Sequence, residues 1–253
     1  MVSTDDAHSP AIALDADDDR DEPDGSWRRY LPTTAKGWVA SVAAMLYLAG
    51  ALGYMVGIRS DRPPGSDSVD VGFLQDMISH HEQAIEMANI ELAGGAVPDV
   101  EAFAREILAF QAYEVGVMEG QLAEWGRNPD QRGPTAMAWM DLPVPVEEMP
   151  GLASEGEMQT LARAEGRDLD ALFVPLMQDH HRGGIHMAEY AADAAADPAV
   201  RELAARMARN QRIEVEELDA AQVRAALPDS PPGYTPAEVP ADPRQVTDGG
   251  HDH

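Results

Sequence analysis

The feature that most restricts this chain is that part of it occurs twice. The stretch DVGFLQDMISHHEQAIEMA, Asp70 to Ala88, returns 100 residues later as DALFVPLMQDHHRGGIHMA, Asp170 to Ala188. Asp70, Phe73, Met77, His80, His81, Ile85, Met87 and Ala88 meet their identical counterparts Asp170, Phe173, Met177, His180, His181, Ile185, Met187 and Ala188, eight matches in nineteen positions. Average composition would supply about one. The offset continues without a gap through Pro98, Val100, Ala104, Gln111, Glu114 and Val115, matched by Pro198, Val200, Ala204, Gln211, Glu214 and Val215. A repeat of this kind makes the fold a problem of packing one unit against its own copy.

Each unit reads as two helices. At 100° per residue Phe73, Met77, His80, His81, Ala84 and Ala88 share a face, with Met87 at its shoulder. Asp70 and Asp170 stand where an N-cap is expected, immediately before the apolar pattern. Gly94, Gly95 and Pro98 in one copy, and Asp197 and Pro198 in the other, break the chain before a second helix. In that helix Phe103, Ile107, Gln111, Glu114, Met118, Leu122 and Trp125 fall on one side. Two equal hairpins make an all-α four-helix bundle over 69–226 the expected architecture, with repeats 69–126 and 169–226. The crossover, 127–168, is rich in Pro and Gly near its start, with one short helix expected near Ser154 to Glu165. No segment alternates with period two convincingly, so no sheet is expected.

Ahead of the bundle, Gly37 to Ile58 is a run of 22 residues without a charged side chain. A helix of that length spans about 33 Å, enough for a hydrocarbon core of about 30 Å. The sequence therefore predicts a single transmembrane helix at 37–58, with a buried core helix or a cleaved signal peptide as the other readings. Arg28, Arg29 and Lys36 before it, against Arg59 and Arg62 after it, place the N-terminus in the cytoplasm and the bundle outside. Ala49, Gly53 and Gly57 would let two such helices pack in a homo-oligomer. Residues 1–36 read as a disordered acidic cytoplasmic tail, 59–68 as a linker, and 227–253, ending in His251, Asp252 and His253, as a second tail without fixed structure.

The chain carries 45 Asp+Glu against 18 Lys+Arg, a formal net charge of −27, which excludes nucleic acid as a partner and favours cations. It has no Cys, so any metal must sit on His, Met, carboxylate or carbonyl oxygen. Within each copy one Met and two His lie within one helical turn, a set suited to soft cations. Thioether and imidazole favour copper, Cu(I) first, while imidazole also accepts Cu(II), zinc or iron. The candidate ligands are His80, His81, His180, His181, Met77, Met177, Met87, Met187, Glu114 and Glu214. Gln111, Gln211, Met118 and His186 are supporting candidates, although His186, opposite Glu86, also reads as a surface residue. Buried methionine is ordinarily plain packing. The repeated His pair is harder to dismiss, because both copies keep it while Glu82, Gln83 and Ala84 become Arg182, Gly183 and Gly184.

The doubled pattern Phe73, Met77, His80, His81, Ala84, Ile85, Met87 and Ala88, then Gln111, Glu114 and Met118, then Met149, Pro150 and Gly151, then Phe173, Met177, His180, His181, Ile185, Met187 and Ala188, resembles the domain of unknown function 305 family over about residues 69 to 224. The resemblance implies a ferritin-like helical bundle, exported or membrane-anchored, with roles in copper binding and copper tolerance. Leu218 and Leu152 stand where that family carries methionine. The leading expectation is an extracytoplasmic, membrane-anchored protein that sequesters copper or hands it to a delivery partner. Its rivals are a redox enzyme of di-iron type, which would want Glu-x-x-His motifs that neither hairpin supplies, and a non-catalytic subunit of a membrane complex.

Overall fold

The computed structural model describes residues 34–60, 63–129, 131, 133 and 135–238. The acidic segment 1–33 and the terminal segment 239–253, with His251 and His253, lie outside the described residues. The chain divides into two units, 1–62 and 63–253. The first contains α1, Ala35–Ser60, in which Ala35–Tyr54 is long and apolar enough to cross a membrane, with a mean hydropathy of 1.4.

Among its described residues, the second unit is helical apart from loops and one short ladder. α2 (Val69–Gly94) and α3 (Pro98–Glu124) form one hairpin, and α5 (Arg167–Ala194) and α6 (Pro198–Ala225) the other. The two repeat-bearing helices, α2 and α5, pack against each other in the middle, while α3 and α6 flank them. Pro98 and Pro198 both open their helices, where a missing amide hydrogen costs nothing. Phe73 and Phe173 are fully buried at matched positions, each contributing about 1.5–3 kcal/mol through burial.

Asp70 and Asp170 are not the N-caps expected of them. Ser68 caps α2, accepting from the Val71 amide at 3.2 Å, and Gly166, at φ 60°, precedes α5. Both aspartates are buried in the first turn and reach across to the opposite hairpin. Asp70 accepts from the Ala196 and Asp197 amides at 3.2 and 2.7 Å, and Asp170 from those of Ala96 and Val97 at 3.2 and 3.1 Å. Each half thus closes the turn of the other, meeting backbone donors just ahead of α3 and α6 that have no partner within their own helices.

The crossover does contain a ladder: β1 (Thr135–Ala136) pairs antiparallel with β2 (Val144–Pro145). Strands of two residues leave no alternation to detect, which is why the sequence gives no sign of them. The crossover is pinned to α2, where Asp76 accepts from the Met137 amide and the Trp139 indole, both at 2.7 Å. Gln83 makes a reciprocal pair with the Ala153 backbone at 2.7 and 2.8 Å. The short helix α4 (Glu155–Leu161) follows, opened by a Ser154–Glu157 capping box.

Residues 227–238, which the sequence assigns to a structureless tail, lie against the bundle. Tyr234 donates its hydroxyl to Asp179 at 2.7 Å, the Ala237 amide donates to the same carboxylate at 2.8 Å, and Pro231 is buried. A few anchored side chains hold this segment without any helical periodicity, so composition alone does not reveal it.

Candidate metal centre

The face repeated along α2 and α5 brings four imidazoles into the interior. His80, His81 and His181 are 0% exposed and His180 is 1% exposed. His80 and His180 meet across the pseudo-symmetric contact with ring centroids 3.8 Å apart and planes inclined by 39°. His180 and His181 lie 6.2 Å apart, centroid to centroid.

Hydrogen bonding fixes the state of these rings. His80 Nε2 lies 3.1 Å from the Pro150 carbonyl oxygen, and His180 Nε2 lies 2.7 Å from that of His80. A carbonyl only accepts, so both Nε2 atoms carry the hydrogen. His81 Nε2 faces Glu114 at 2.8 Å and His181 Nε2 faces Glu214 at 2.6 Å, the carboxylate-imidazole arrangement that sets a tautomer and orients a ring. Burial, reinforced by the charge of His81, lowers His80 to about 3, against the opposing pull of the Pro150 carbonyl. Burial and the neighbouring His80 likewise hold His180 well below the ordinary histidine range. A neutral ring protonated on Nε2, as His80 and His180 are, presents a bare lone pair at Nδ1. The Nδ1 atoms of all four rings are buried without a hydrogen-bond partner.

The flanking helices also bury a matched pair of glutamines. Gln111 and Gln211 are each 3% exposed. Gln111 finds no partner for Oε1 or Nε2, and Gln211 none for Oε1. Gly184 makes room for Gln211, since a Cβ there would collide with its Oε1. Unpaired acceptors outnumber unpaired donors in this group, which suits a positive guest. Among the described residues, however, no three His, Asp or Glu side chains form a ready cation cage. Glu114 and Glu214 stand behind the imidazoles as acceptors, with 13% and 17% of their side chains exposed.

The methionines are divided. Met77, Met118 and Met187 share one apolar cluster with Met149, and Met87 and Met177 share the other with Phe173 and Leu218. Each is at most 2% exposed and packed among hydrophobic side chains. His186, which reads as a surface residue from the sequence, is 9% exposed on α5. Its own helix turns it inward, whereas Glu86 at the matched position is exposed. Sequence reasoning missed Pro150 as the partner of His80: the Met149-Pro150-Gly151 element is visible in the sequence, but nothing local indicates which ring its carbonyl faces.

Residues 70–222 match the family described as "Domain of unknown function (DUF305)". A candidate secreted DUF305 protein from Streptomyces coelicolor is 31% identical, over 66% of this chain and 99% of that one, with a TM-score of 0.61. A DUF305 fragment from Deinococcus radiodurans is 28% identical, over 64% of this chain and 99% of that one, with a TM-score of 0.54. CopM in its Cu(I)-bound form aligns at 24% identity over 62% of this chain and 96% of CopM, with a TM-score of 0.46, a likeness too loose to bear on the ligands of this chain. No curated protein matches.

Proposed function

The chain belongs to the DUF305 family, and from that premise we propose that its bundle takes up a soft cation, copper(I) foremost, through the paired histidines. The observation that carries this is the set of four buried Nδ1 atoms left bare while every Nε2 is committed. Leaving a buried acceptor unmet costs about 1–3 kcal/mol. A neutral imidazole lone pair is what copper, silver or zinc accepts. His80, His81, His180 and His181 are the ligands in this reading. Glu114 and Glu214 hold two of the rings in the ligating tautomer, and Met77 and Met177 are the nearest thioethers in sequence. A donor set of imidazole and thioether is uncharged, which favours a monovalent soft ion over a hard divalent one.

The location we infer is extracytoplasmic, with Ala35–Tyr54 as the anchor. The acidic surface draws cations toward it, and the chemistry is binding and transfer rather than turnover. The test is titration of the full-length chain in detergent with Cu(I), and with Ag(I) as its redox-inert stand-in. Wild type is expected to retain the metal through gel filtration, and the His80→Ala, His180→Ala variant to lose it. A stable wild-type bundle that retains neither ion would overturn the reading and leave a structural role.

A further inference from the structure

No cation reaches four fully buried rings unless part of the wall moves, so if the bundle binds metal, one element must act as the door. The ring partners show where it is. His81 is held by Glu114 on α3, His181 by Glu214 on α6, and His180 by the His80 carbonyl on α2. Only His80 is held by a group outside the four long helices, the Pro150 carbonyl oxygen.

Pro150 sits in a tight turn whose chemistry is written in its residues. The Leu152 amide donates to the Met149 carbonyl at 3.1 Å, and Gly151 takes φ 82°. Proline second and a positive-φ glycine third define a type II turn. The turn seats directly on α5. A Cβ at Gly183 would collide with the Pro150 oxygen, and a Cβ at Gly151 would collide with the Asp179 carbonyl and lie 3.0 Å from His180 Cα. Downstream, the reciprocal Gln83–Ala153 pair anchors the chain where the turn ends. Leu152, the last residue of the turn, borders an open groove of about 480 Å³ that Glu147 and Glu157 also line.

We propose that the Met149–Leu152 turn is the gate of the histidine chamber and that it opens by a flip of the Pro150–Gly151 peptide. Types I and II share proline at the second position and differ by rotation of the middle peptide. The flip carries the Pro150 carbonyl away from His80 Nε2 and leaves both ends of the turn in place. Glycine is required because only it accepts both the closed, positive-φ form and the close approach to α5. The inference rests on the cation-binding reading for its purpose, while its mechanics are testable without metal.

The test is the rate at which diethyl pyrocarbonate modifies each histidine of the full-length chain, resolved by peptide mass. Gly151→Ala disfavours the closed turn, so His80 is expected to react on the order of tenfold faster than in wild type. His81 and His181, held by helical carboxylates, keep their rates. Ag(I) association is expected to accelerate by a similar factor. Equal His80 rates in variant and wild type, or all four rings rising together, would overturn the gate. If circular dichroism shows that Gly151→Ala does not fold, Gln83→Ala, which frees the downstream anchor, is measured instead with the same two outcomes. Should His80 respond while no silver binds, the gate stands and the cation reading fails; silver bound with unchanged His80 rates keeps the cation reading and removes the gate.

Discussion

The two hairpins carry the same imidazoles on the same scaffold and differ in what they hold besides. On α2 the positions outside the repeated face grip the crossover through Asp76 and Gln83. The matched positions on α5 are Leu176 and Gly183, one apolar and one bare, and α5 uses Asp179 to grip the C-terminal segment instead. The turns differ too. Asp170, which closes the α2–α3 turn, stands beside a second acid, Glu91, whose matched position is Ala191. Burial, then a hydrogen bond to the Asp170 carboxylate and the charge of that carboxylate, push Glu91 up to about 9. The two copies therefore keep the same four rings, while neighbouring positions, buried ones such as Asp76, Glu91 and Asp179 among them, differ and hold different segments.

The sharpest break in this comparison is expected at the crossed aspartates. Asp70→Ala strands the Ala196 and Asp197 amides and should cost roughly 2–4 kcal/mol in denaturant unfolding. Asp170→Ala strands an equivalent pair and also removes the hydrogen-bond partner of the protonated Glu91, so its loss should be at least as large; a clearly smaller loss would mean that Asp170 burdens Glu91 rather than pairing with it. The interior should behave oppositely, without bias. Glu114→Gln and Glu214→Gln are each expected to weaken Ag(I) affinity by about 10- to 100-fold, the usual reach of a carboxylate behind a metal-binding imidazole. A large difference between the two would mean that the halves contribute unequally to one site.

The third comparison is read in pH. His80 is depressed in the folded state, so between about 3 and 6.5 the unfolded chain binds more protons and stability rises with pH, and the depressed His180 acts in the same direction. Glu91 is raised from 4.5 to about 9, so across that interval the folded chain binds more protons and stability falls as pH rises. The two oppose each other between 4.5 and 6.5. Glu91→Gln is expected to raise the melting temperature at pH 8 by a few degrees and to flatten the alkaline limb, leaving the acid limb unchanged. The smallest effect belongs to an unmatched thioether, Met118, whose counterpart in the repeat is Leu218. Met118→Leu and Leu218→Met conserve volume and should each shift stability by less than about 1.5 kcal/mol. A change in silver affinity on either swap, in opposite directions, would show that this position supplies sulfur.

The duplication made most of the fold legible in advance. Two segments with an identical offset had to become two similar hairpins, and helical spacing alone turned His80, His81, His180 and His181 inward. What stayed illegible depends on partners far along the chain. Asp70 looks like the cap of its own helix because the amides it serves lie more than 120 residues away. The Pro150 carbonyl and the anchoring of 227–238 belong to the same class, being single contacts between irregular segments and helices with no period to betray them. The division of the methionines was hidden for a different reason. The face that turns Met77 inward along with His80 says nothing about the depth at which each side chain lands, and packing decided that.

The crossed aspartates also bear on descent. Asp70 clamps residues 196 and 197, which are the positions of Ala96 and Val97 carried into the second copy. A lone hairpin bearing such an aspartate could not reach its own turn, yet two identical hairpins related by a two-fold axis would clamp each other symmetrically. The present chain has the arrangement that two such hairpins would take if joined end to end. Severing that join within the crossover should give two pieces that each look for the other, and a pair of either piece with itself would already own the required donors and acceptors.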